Sequence, residues 1–260
     1  MSAMSDRLSK FANPATSSRA SEPSASSIMT TSVAARWSFI PPLAYRPLRY
    51  CRRVGTDGIQ VIRLVSVTST QDVARELPIG SVVIADHQTA GRGRLDHRWV
   101  APPGTALLVS FVLATNPLLS LAAGVAAAEA CGKNVRLKWP NDIILSGRKL
   151  GGILVEVTPA KAICGIGINL TRAPPGAARL NQPRDDLLER LMPAVERWCS
   201  APPEQVLSRW RELSDTLGRR VLVELPDRSF EGLAQDIDVR GALIVDGAVV
   251  SAGSVRHLSD

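Results

Sequence analysis

The sequence predicts an α+β fold: a mixed β-sheet with helices, followed by a small SH3-like β-barrel. Two observations carry this prediction. Between residues 59 and 217, short β-branched runs alternate with longer apolar or amphipathic stretches of helical length. After Gly218, only short alternating runs separated by turn residues remain. Mixed helices and strands followed by strands alone favour an α+β class.

The elements of the first part follow in order. A β-branched run at residues 59–67 is followed by Ser69-Thr70-Gln71-Asp72, which can cap a helix over residues 73–77 that Pro78 breaks. Further strands are predicted at residues 81–85, 106–114, 135–138, 142–145, 153–157 and 162–168. Longer helices are predicted at residues 118–131, 185–199 and 204–217.

The second part consists of short strands joined by tight turns. The Asp246-Gly247 pair between two apolar runs is a strong hairpin signal. The strand patterns lie at residues 220–224, 229–238, 242–245 and 248–251, within a five-stranded module. We therefore predict a disordered Ser/Pro-rich tail at residues 1–54, a first folded domain at 55–217 and a C-terminal domain at 218–260.

The net charge of +7 belongs mainly to the predicted tail. Of the 31 basic and 24 acidic residues in the chain, eight basic and two acidic residues lie in positions 1–53. Positions 54–260 therefore hold 23 basic and 22 acidic residues, which is nearly neutral. A basic folded face typical of nucleic-acid binding is not predicted, so we expect no DNA partner.

Two further composition features exclude other classes. No apolar run approaches the roughly 20 residues of a membrane-spanning helix, so a membrane protein is not expected. The four cysteines show no Cys-x-x-Cys spacing, which favours isolated thiols in a reducing, cytoplasmic compartment over disulfides or structural zinc.

Residues 88–94, Gln-Thr-Ala-Gly-Arg-Gly-Arg, form the first motif. Gly91 lets backbone amides approach a ligand, and Arg92 and Arg94 can both face one anion. Because the arginine fork makes paired charge-assisted hydrogen bonds, this pattern favours phosphate. An exposed basic turn is an equal alternative, and the third glycine of a dinucleotide fingerprint is missing.

The second motif spans residues 138–156 and contains Lys-Trp-Pro-Asn-Asp and Lys-Leu-Gly-Gly. A hairpin through residues 146–147 would return Lys149 to Asn141 and Asp142, so that an ammonium, an amide and a carboxylate converge. The paired Gly151 and Gly152 mark close approach by a ligand or another backbone. The alternative is an ordinary hairpin with surface charges.

The third motif, Gly-Ile-Gly-Ile-Asn at residues 165–169, bares one face of a strand and ends in Asn169. A strand packed tightly beneath a helix is the alternative interpretation. In this order and spacing, the three motifs resemble the bacterial biotin protein ligases, and the resemblance covers about residues 60–258. No helix-turn-helix pattern precedes residue 59, so the chain resembles the type without a DNA-binding domain.

The resemblance implies a reaction in two steps. Biotin and ATP would form biotinyl-5′-AMP, and biotin would then pass to a lysine of the biotin carboxyl carrier domain of acetyl-CoA carboxylase or a related carboxylase. Lys149 would lie between the biotin carboxylate and the α-phosphate, and Arg92 and Arg94 would close over the phosphate. Asp142 would hold Mg²⁺.

The resemblance also implies two binding sets and a weak homodimer. The biotin set is Ser69, Thr70, Gln88, Gly91, Arg92, Lys149, Gly151 and Gly152. The ATP and adenylate set is Arg92, Arg94, Trp99, Asn141, Lys149 and Asn169.

The sequence departs from the family pattern in three places. Gln71 stands where asparagine is frequent. Asp96-His97 replaces a glycine and a basic residue, which puts a negative charge beside the phosphate loop. Residues 171–182 occupy the place of an adenylate-covering loop, and we expect them to become ordered with nucleotide.

Two other functions are compatible with the sequence. One is an octanoyl or lipoyl acyltransferase of the same superfamily that works through a thioester on Cys164, although apolar neighbours suggest an inert thiol. The other is a non-catalytic binding module.

Overall fold

The structure, a computed structural model, describes residues 51–54 and 60–258. Eight strands form one mixed sheet in the order β1-β2-β3-β4-β8-β7-β6-β5. β2 and β3 run parallel, and the other neighbouring pairs are antiparallel. The strands are β1 (Cys51–Val54), β2 (Gln60–Val67), β3 (Val82–Gln88), β4 (Ala106–Leu113), β5 (Val135–Lys138), β6 (Asp142–Leu145), β7 (Arg148–Val157) and β8 (Ala162–Asn169).

Helices cover both faces of this sheet. They are α1 (Thr70–Arg75), α2 (Leu119–Cys131), α3 (Arg184–Cys199) and α4 (Pro203–Leu213). The alanine-rich α2 is apolar around almost its whole circumference, and it is accordingly buried between the sheet and α3 and α4. On the opposite face, Ala74 of α1 packs with Ile62 and Ile163. Among residues 60–258, no helix is long and apolar enough to cross a membrane.

The C-terminal part is a five-stranded antiparallel sheet in the order β12-β11-β10-β9-β13. Its strands are β9 (Arg220–Glu224), β10 (Ser229–Ile237), β11 (Leu243–Val245), β12 (Ala248–Val250) and β13 (Ser254–His257). Val221 and Leu243 belong to the same buried cluster as α2, so the two parts share a core. The α+β prediction is confirmed.

Three of the boundaries that differ from the sequence prediction are explained by contacts with another strand. Residues 51–54, predicted to end the disordered tail, form β1 because they pair with the edge of β2; the rest of the predicted tail lies outside the described residues. β7 begins at Arg148, not at residue 153, since its first residues pair with β6. α4 ends at Leu213, not at residue 217, because Asp215 donates its amide to the Leu137 carbonyl of β5.

Candidate functional site

A cavity of about 470 Å³ opens on the sheet face that carries α1. All three sequence motifs contribute to its wall. The predicted site residues that line it are Ser69, Thr70, Gln88, Arg92, Arg94, Trp99, Asn141, Asp142, Lys149, Gly152 and Asn169. The structure therefore brings eleven of the thirteen predicted residues to one space.

Gly91 and Gly151 are the two predicted residues that do not line the cavity. A Cβ on Gly91 would lie 2.5 Å from the Trp99 carbonyl oxygen, and a Cβ on Gly151 would collide with the Gly167 carbonyl oxygen. Both glycines therefore allow close packing of backbone beside the cavity, and their contact with biotin stays a prediction.

Three other glycines shape the ligand-facing surface of the sheet. Gly152 and Gly167 are paired across β7 and β8, and Gly165 follows on the same face of β8. A Cβ on Gly167 would lie 2.7 Å from the Trp99 ring, so the indole rests directly on bare backbone. The buried Trp99 Nε1 has no hydrogen-bond partner among the described residues. The glycines thus provide a flat slot with Trp99 as one wall.

The β6–β7 hairpin positions the ammonium group. Ser146 and Gly147 have φ angles of 51° and 70°, which make the tight turn. A register shift then separates the Ile144–Lys149 pair from the pair that follows. As the spacing predicted, Lys149 returns to Asp142, with 2.6 Å between Nζ and Oδ1.

Arg94 connects three parts of the cavity wall. Its Nη1 donates to Asn141 Oδ1 at 3.2 Å, and its Nη2 donates to the Gly253 carbonyl at 3.3 Å. Asn141 is itself held by donating Nδ2 to the Ile153 carbonyl at 2.7 Å. Burial lowers the pKa of Arg94, and the nearby Asp142 carboxylate opposes this effect. An arginine guanidinium stays protonated throughout the physiological pH range, so Arg94 remains a cation.

Arg92 is held by acidic side chains at the edge of the cavity. Its Nε and Nη2 both donate to Glu156, each at 3.1 Å, and its Nη1 donates to Asp72 at 2.6 Å. The hydrogen bond that Arg92 donates to Glu156 is the main cause that raises the pKa of Arg92. The geometry thus makes Arg92 an anchor between its loop, α1 and β7. Its three side-chain nitrogens all face carboxylates here, and the closing of its guanidinium over phosphate stays a prediction.

The buried end of the cavity contains a network of hydroxyl and amide groups. Gln88 Oε1 accepts from the Thr70 amide at 2.8 Å and from Thr70 Oγ1 at 2.9 Å. Thr70 Oγ1 also contacts Ser110 Oγ at 2.8 Å. Ser69 is the N-cap of α1 and accepts from the Gln71 amide. The two bonds from Thr70 hold the Gln88 amide in the cavity wall.

The loop at residues 171–182 follows β8 and adds Pro174 and Ala177 to the wall. The Ala178 amide donates to the Lys149 carbonyl at 2.8 Å, and Asn169 Nδ2 donates to the Ala178 carbonyl at 3.0 Å. Since these bonds are made within the chain, this part of the loop is held in place by β7 and β8. The expectation that nucleotide is needed to order the whole loop is not supported.

The acidic groups offer limited metal-binding capacity. Asp142 is the one carboxylate among the described residues that line the cavity. Within residues 60–258, no group of three or more His, Cys, Asp or Glu side chains is arranged to hold a metal ion. The site therefore suits a cation that shares its coordination with substrate oxygens.

Cys164 lies on the sheet face opposite to the cavity. It is fully buried in the core with Phe111 and Ile166, and burial raises the pKa of its thiol well above the usual value. An inaccessible, protonated thiol cannot carry a thioester intermediate. The structure therefore gives no support to the cysteine-dependent acyltransferase.

Sequence reasoning left several cavity residues unassigned. Glu156 does not line the cavity but holds Arg92 at its edge; it was part of the second motif and was given no role. Gln71 was noted only as a departure, and Ser254 of β13 carries no recognisable signal. The absence of side chains at Gly165 and Gly167 was noted in the sequence, and this pattern is what predicts the flat slot on β8.

Comparisons with known proteins agree with this geometry. Residues 61–171 match the Biotin/lipoate A/B protein ligase family, and residues 216–257 match the Biotin protein ligase C terminal domain. The chain is 37% identical to the biotin--[acetyl-CoA-carboxylase] ligase of Mycobacterium tuberculosis, over 84% of this chain and 97% of that protein.

Solved structures lead to the same family. The biotin protein ligase from Aquifex aeolicus in complex with biotin and ATP has a TM-score of 0.68 and 26% identity, covering 76% of this chain and 99% of that one. The Leishmania major enzyme in complex with biotinyl-5-AMP has a TM-score of 0.56 and 28% identity, covering 77% and 98%. The chain described here belongs to the biotin protein ligase family.

Proposed function

We propose that this chain is an ATP-dependent biotin ligase that forms biotinyl-5′-AMP and transfers biotin to a lysine of a biotin carboxyl carrier domain. The observation that carries the proposal is a single cavity with a buried polar end and a cationic end formed by Lys149 and Arg94. Both substrates are anions, and positive charge is needed to bring them together. The bound biotin and ATP of the Aquifex relative support the same substrates.

In the first step, a carboxylate oxygen of biotin attacks the α-phosphorus of ATP. The bond from phosphorus to the bridging oxygen breaks, and pyrophosphate leaves. The Lys149 ammonium offsets the repulsion between carboxylate and phosphate, and Arg94 neutralises charge that develops on the phosphate oxygens. Asn141 and the Gly253 carbonyl keep the Arg94 fork in position.

Asp142 is the residue that would hold Mg²⁺, and Asn169 lines the same cavity. A single carboxylate fits a cation that is carried in by ATP phosphates. Bound Mg²⁺ would supply additional positive charge to the phosphates. This charge would add to the positive charge of Lys149 and Arg94.

In the second step, the ε-amine of the carrier lysine attacks the acyl carbon of the adenylate. The bond between that carbon and the phosphate oxygen breaks, AMP leaves, and the amine loses a proton. The open side of the cavity near Lys149 gives the carrier access, since the side chain of Lys149 is 49% exposed.

The proposal also assigns a role to each domain and a cellular compartment to the protein. Residues 55–217 form the catalytic domain, and residues 218–260 supply the Gly253 contact to Arg94. Free thiols at Cys131, Cys164 and Cys199 support a reducing cytoplasm. The weak homodimer and the lack of a DNA partner stay predictions.

The test incubates the full chain with biotin, MgATP and a carrier domain. We expect covalent biotin on the carrier with the wild type and at least a 100-fold lower rate with Lys149→Ala, about the effect of removing one transition-state donor. Lys133→Ala, a substitution of an exposed lysine outside the cavity, is the matched control and should keep full activity. Failure of the wild type to modify the carrier, or to bind biotin, would refute the proposal and favour a binding module.

A further inference from the structure

Lys138 is a further cation in the cavity wall, at the end of β5. Its neighbour in the strand, Leu137, is buried in the core that contains α2. Because successive side chains of a strand point to opposite faces, Lys138 lies on the cavity face of the sheet. Lys138 is paired with Asp142 across β5 and β6, so both side chains leave the same face. The lysine therefore stands one strand beyond the carboxylate that Lys149 contacts.

The ammonium of Lys138 is available to an anionic ligand. It makes no ion pair with any carboxylate of the described residues, whereas Lys149 is paired with Asp142 and Arg92 with Glu156. A ligand anion would therefore not have to displace a carboxylate from Lys138, and the full charge of the lysine would act on it.

The same ammonium lies close to the C-terminal sheet. Burial is the main cause that lowers the pKa of His257 in β13, and the positive charge of Lys138 adds to this effect. Ser254 and Val255 of β13 line the same cavity as Lys138. The cavity wall between β5 and β13 thus has a cation on one side and a strand of the C-terminal sheet on the other.

The order of strands relates Lys138 to the place of the α-phosphate. β7, β6 and β5 are consecutive neighbours at one edge of the sheet. Neighbouring strands lie about 4.8 Å apart, so β5 lies about 10 Å from β7, which carries Lys149. A triphosphate held at its α-phosphate by Lys149 can extend across β6, and the flexible stem of Lys138 can reach its far end.

We propose that Lys138 binds the β- and γ-phosphates of ATP and, after the first step, the pyrophosphate that leaves. The inference rests on the proposed function and assigns a polyphosphate subsite between β5 and β13 within it. An ammonium suits this role because it is a compact charge whose three donors can follow a departing phosphate group. Since pyrophosphate is absent from the second step, Lys138 should act in the first step alone.

The experiment measures the two steps separately with the full chain. Adenylate formation and its reversal give KM for MgATP and for pyrophosphate, and transfer from added biotinyl-5′-AMP to the carrier domain gives the rate of the second step. The proteins are the wild type, Lys138→Met and Lys138→Arg. We expect Lys138→Met to raise both KM values about 10-fold, as for the loss of one charge-assisted hydrogen bond, and to leave transfer unchanged. Lys138→Arg keeps the charge and should restore most of this loss.

Lys133→Met is the matched control, since Lys133 is an exposed lysine that does not line the cavity. It should leave both KM values and the transfer rate as in the wild type. Should Lys138→Met not fold, Lys138→Gln, which keeps a polar side chain without the charge, takes its place in the same comparison.

Three outcomes would refute the inference. Unchanged KM values for ATP and pyrophosphate would show that Lys138 does not bind the phosphates. Equal losses in both steps would indicate a structural role, and a loss in transfer alone would indicate that Lys138 faces the carrier. In all three cases the proposed function stands. If the wild type forms no adenylate, the proposed function itself fails.

Discussion

The Lys149 ammonium lies 2.6 Å from the Asp142 carboxylate, and both side chains face the cavity. In the proposed reaction, the ion pair holds the lysine next to the space where the biotin carboxylate and the α-phosphate would meet. The Asp142 carboxylate also neutralises part of the positive charge of Lys149 before a ligand binds. The partial exposure of the ion pair keeps its contribution to stability small, so its importance lies in positioning.

We expect Asp142→Asn to raise the Mg²⁺ concentration required for adenylate formation and to lower kcat/KM for ATP by about 100-fold, an effect of the size seen for one catalytic electrostatic contact. Pyrophosphate release over a Mg²⁺ titration measures both quantities. Asp96→Asn, a substitution of an exposed carboxylate in the nearby loop that does not line the cavity, should leave the Mg²⁺ requirement unchanged. An identical Mg²⁺ profile for Asp142→Asn would show that this carboxylate does not hold the cation.

Substitution of Glu156 should loosen the loop that carries Arg92. Glu156→Gln replaces two acceptor oxygens by one, so the paired bond to Arg92 is lost. We expect adenylate to escape several-fold faster, measured as pyrophosphate released per enzyme in the absence of the carrier.

Arg75→Ala provides the control for Glu156→Gln. Arg75 shares the Glu156 carboxylate at 3.0 Å but does not line the cavity. Its removal leaves both bonds from Arg92 to Glu156 intact, so adenylate should be retained. Equal escape from the two variants would mean that the Arg92 pair does not hold the loop closed.

Gly167→Ala should displace the Trp99 ring, because the added Cβ would lie 2.7 Å from it. We expect the affinities for ATP and biotin to weaken more than 10-fold, because the Trp99 ring forms one wall of the slot. The fold itself should be retained. Calorimetry and circular dichroism measure the two effects. Gly124→Ala in α2 is the control: its Cβ would lie 3.4 Å from Leu137, an ordinary contact, and should leave binding intact. Unaltered binding by Gly167→Ala would refute this account of Trp99.

Acid should destabilise the fold through His257. Burial is the main cause that lowers the pKa of His257 below 6.5, followed by the positive charge of Lys138, while Asp215 opposes the shift. As the pH falls below the unfolded-state pKa, the unfolded chain binds a proton before the folded one does, so stability decreases with falling pH.

The unfolding temperature at pH 7.5 and pH 5.5 tests this prediction. The wild type should lose more stability than His257→Gln between the two values, because glutamine does not titrate. Equal losses in both proteins would indicate that His257 does not contribute to the pH dependence.

Local patterns were sufficient for much of the fold. β5, β6 and β9 begin and end where the sequence predicts, since turn residues delimit each run. The end of α4 could not be predicted, because it depends on a contact with β5. Leu137, which receives the Asp215 amide, lies 78 residues before it in the chain.

The sequence by itself determined the fold class and the contact between Lys149 and Asp142. A tight turn of known geometry joins those two residues, so their approach is a local property. Tertiary structure alone decided the partner of Arg92 and the burial of Gln71. Glu156 is 64 residues from Arg92, and Leu154, whose carbonyl accepts from the Gln71 side chain, is 83 residues from Gln71. Such contacts depend on the order of strands in the sheet, which short-range hydrophobic periodicity does not encode.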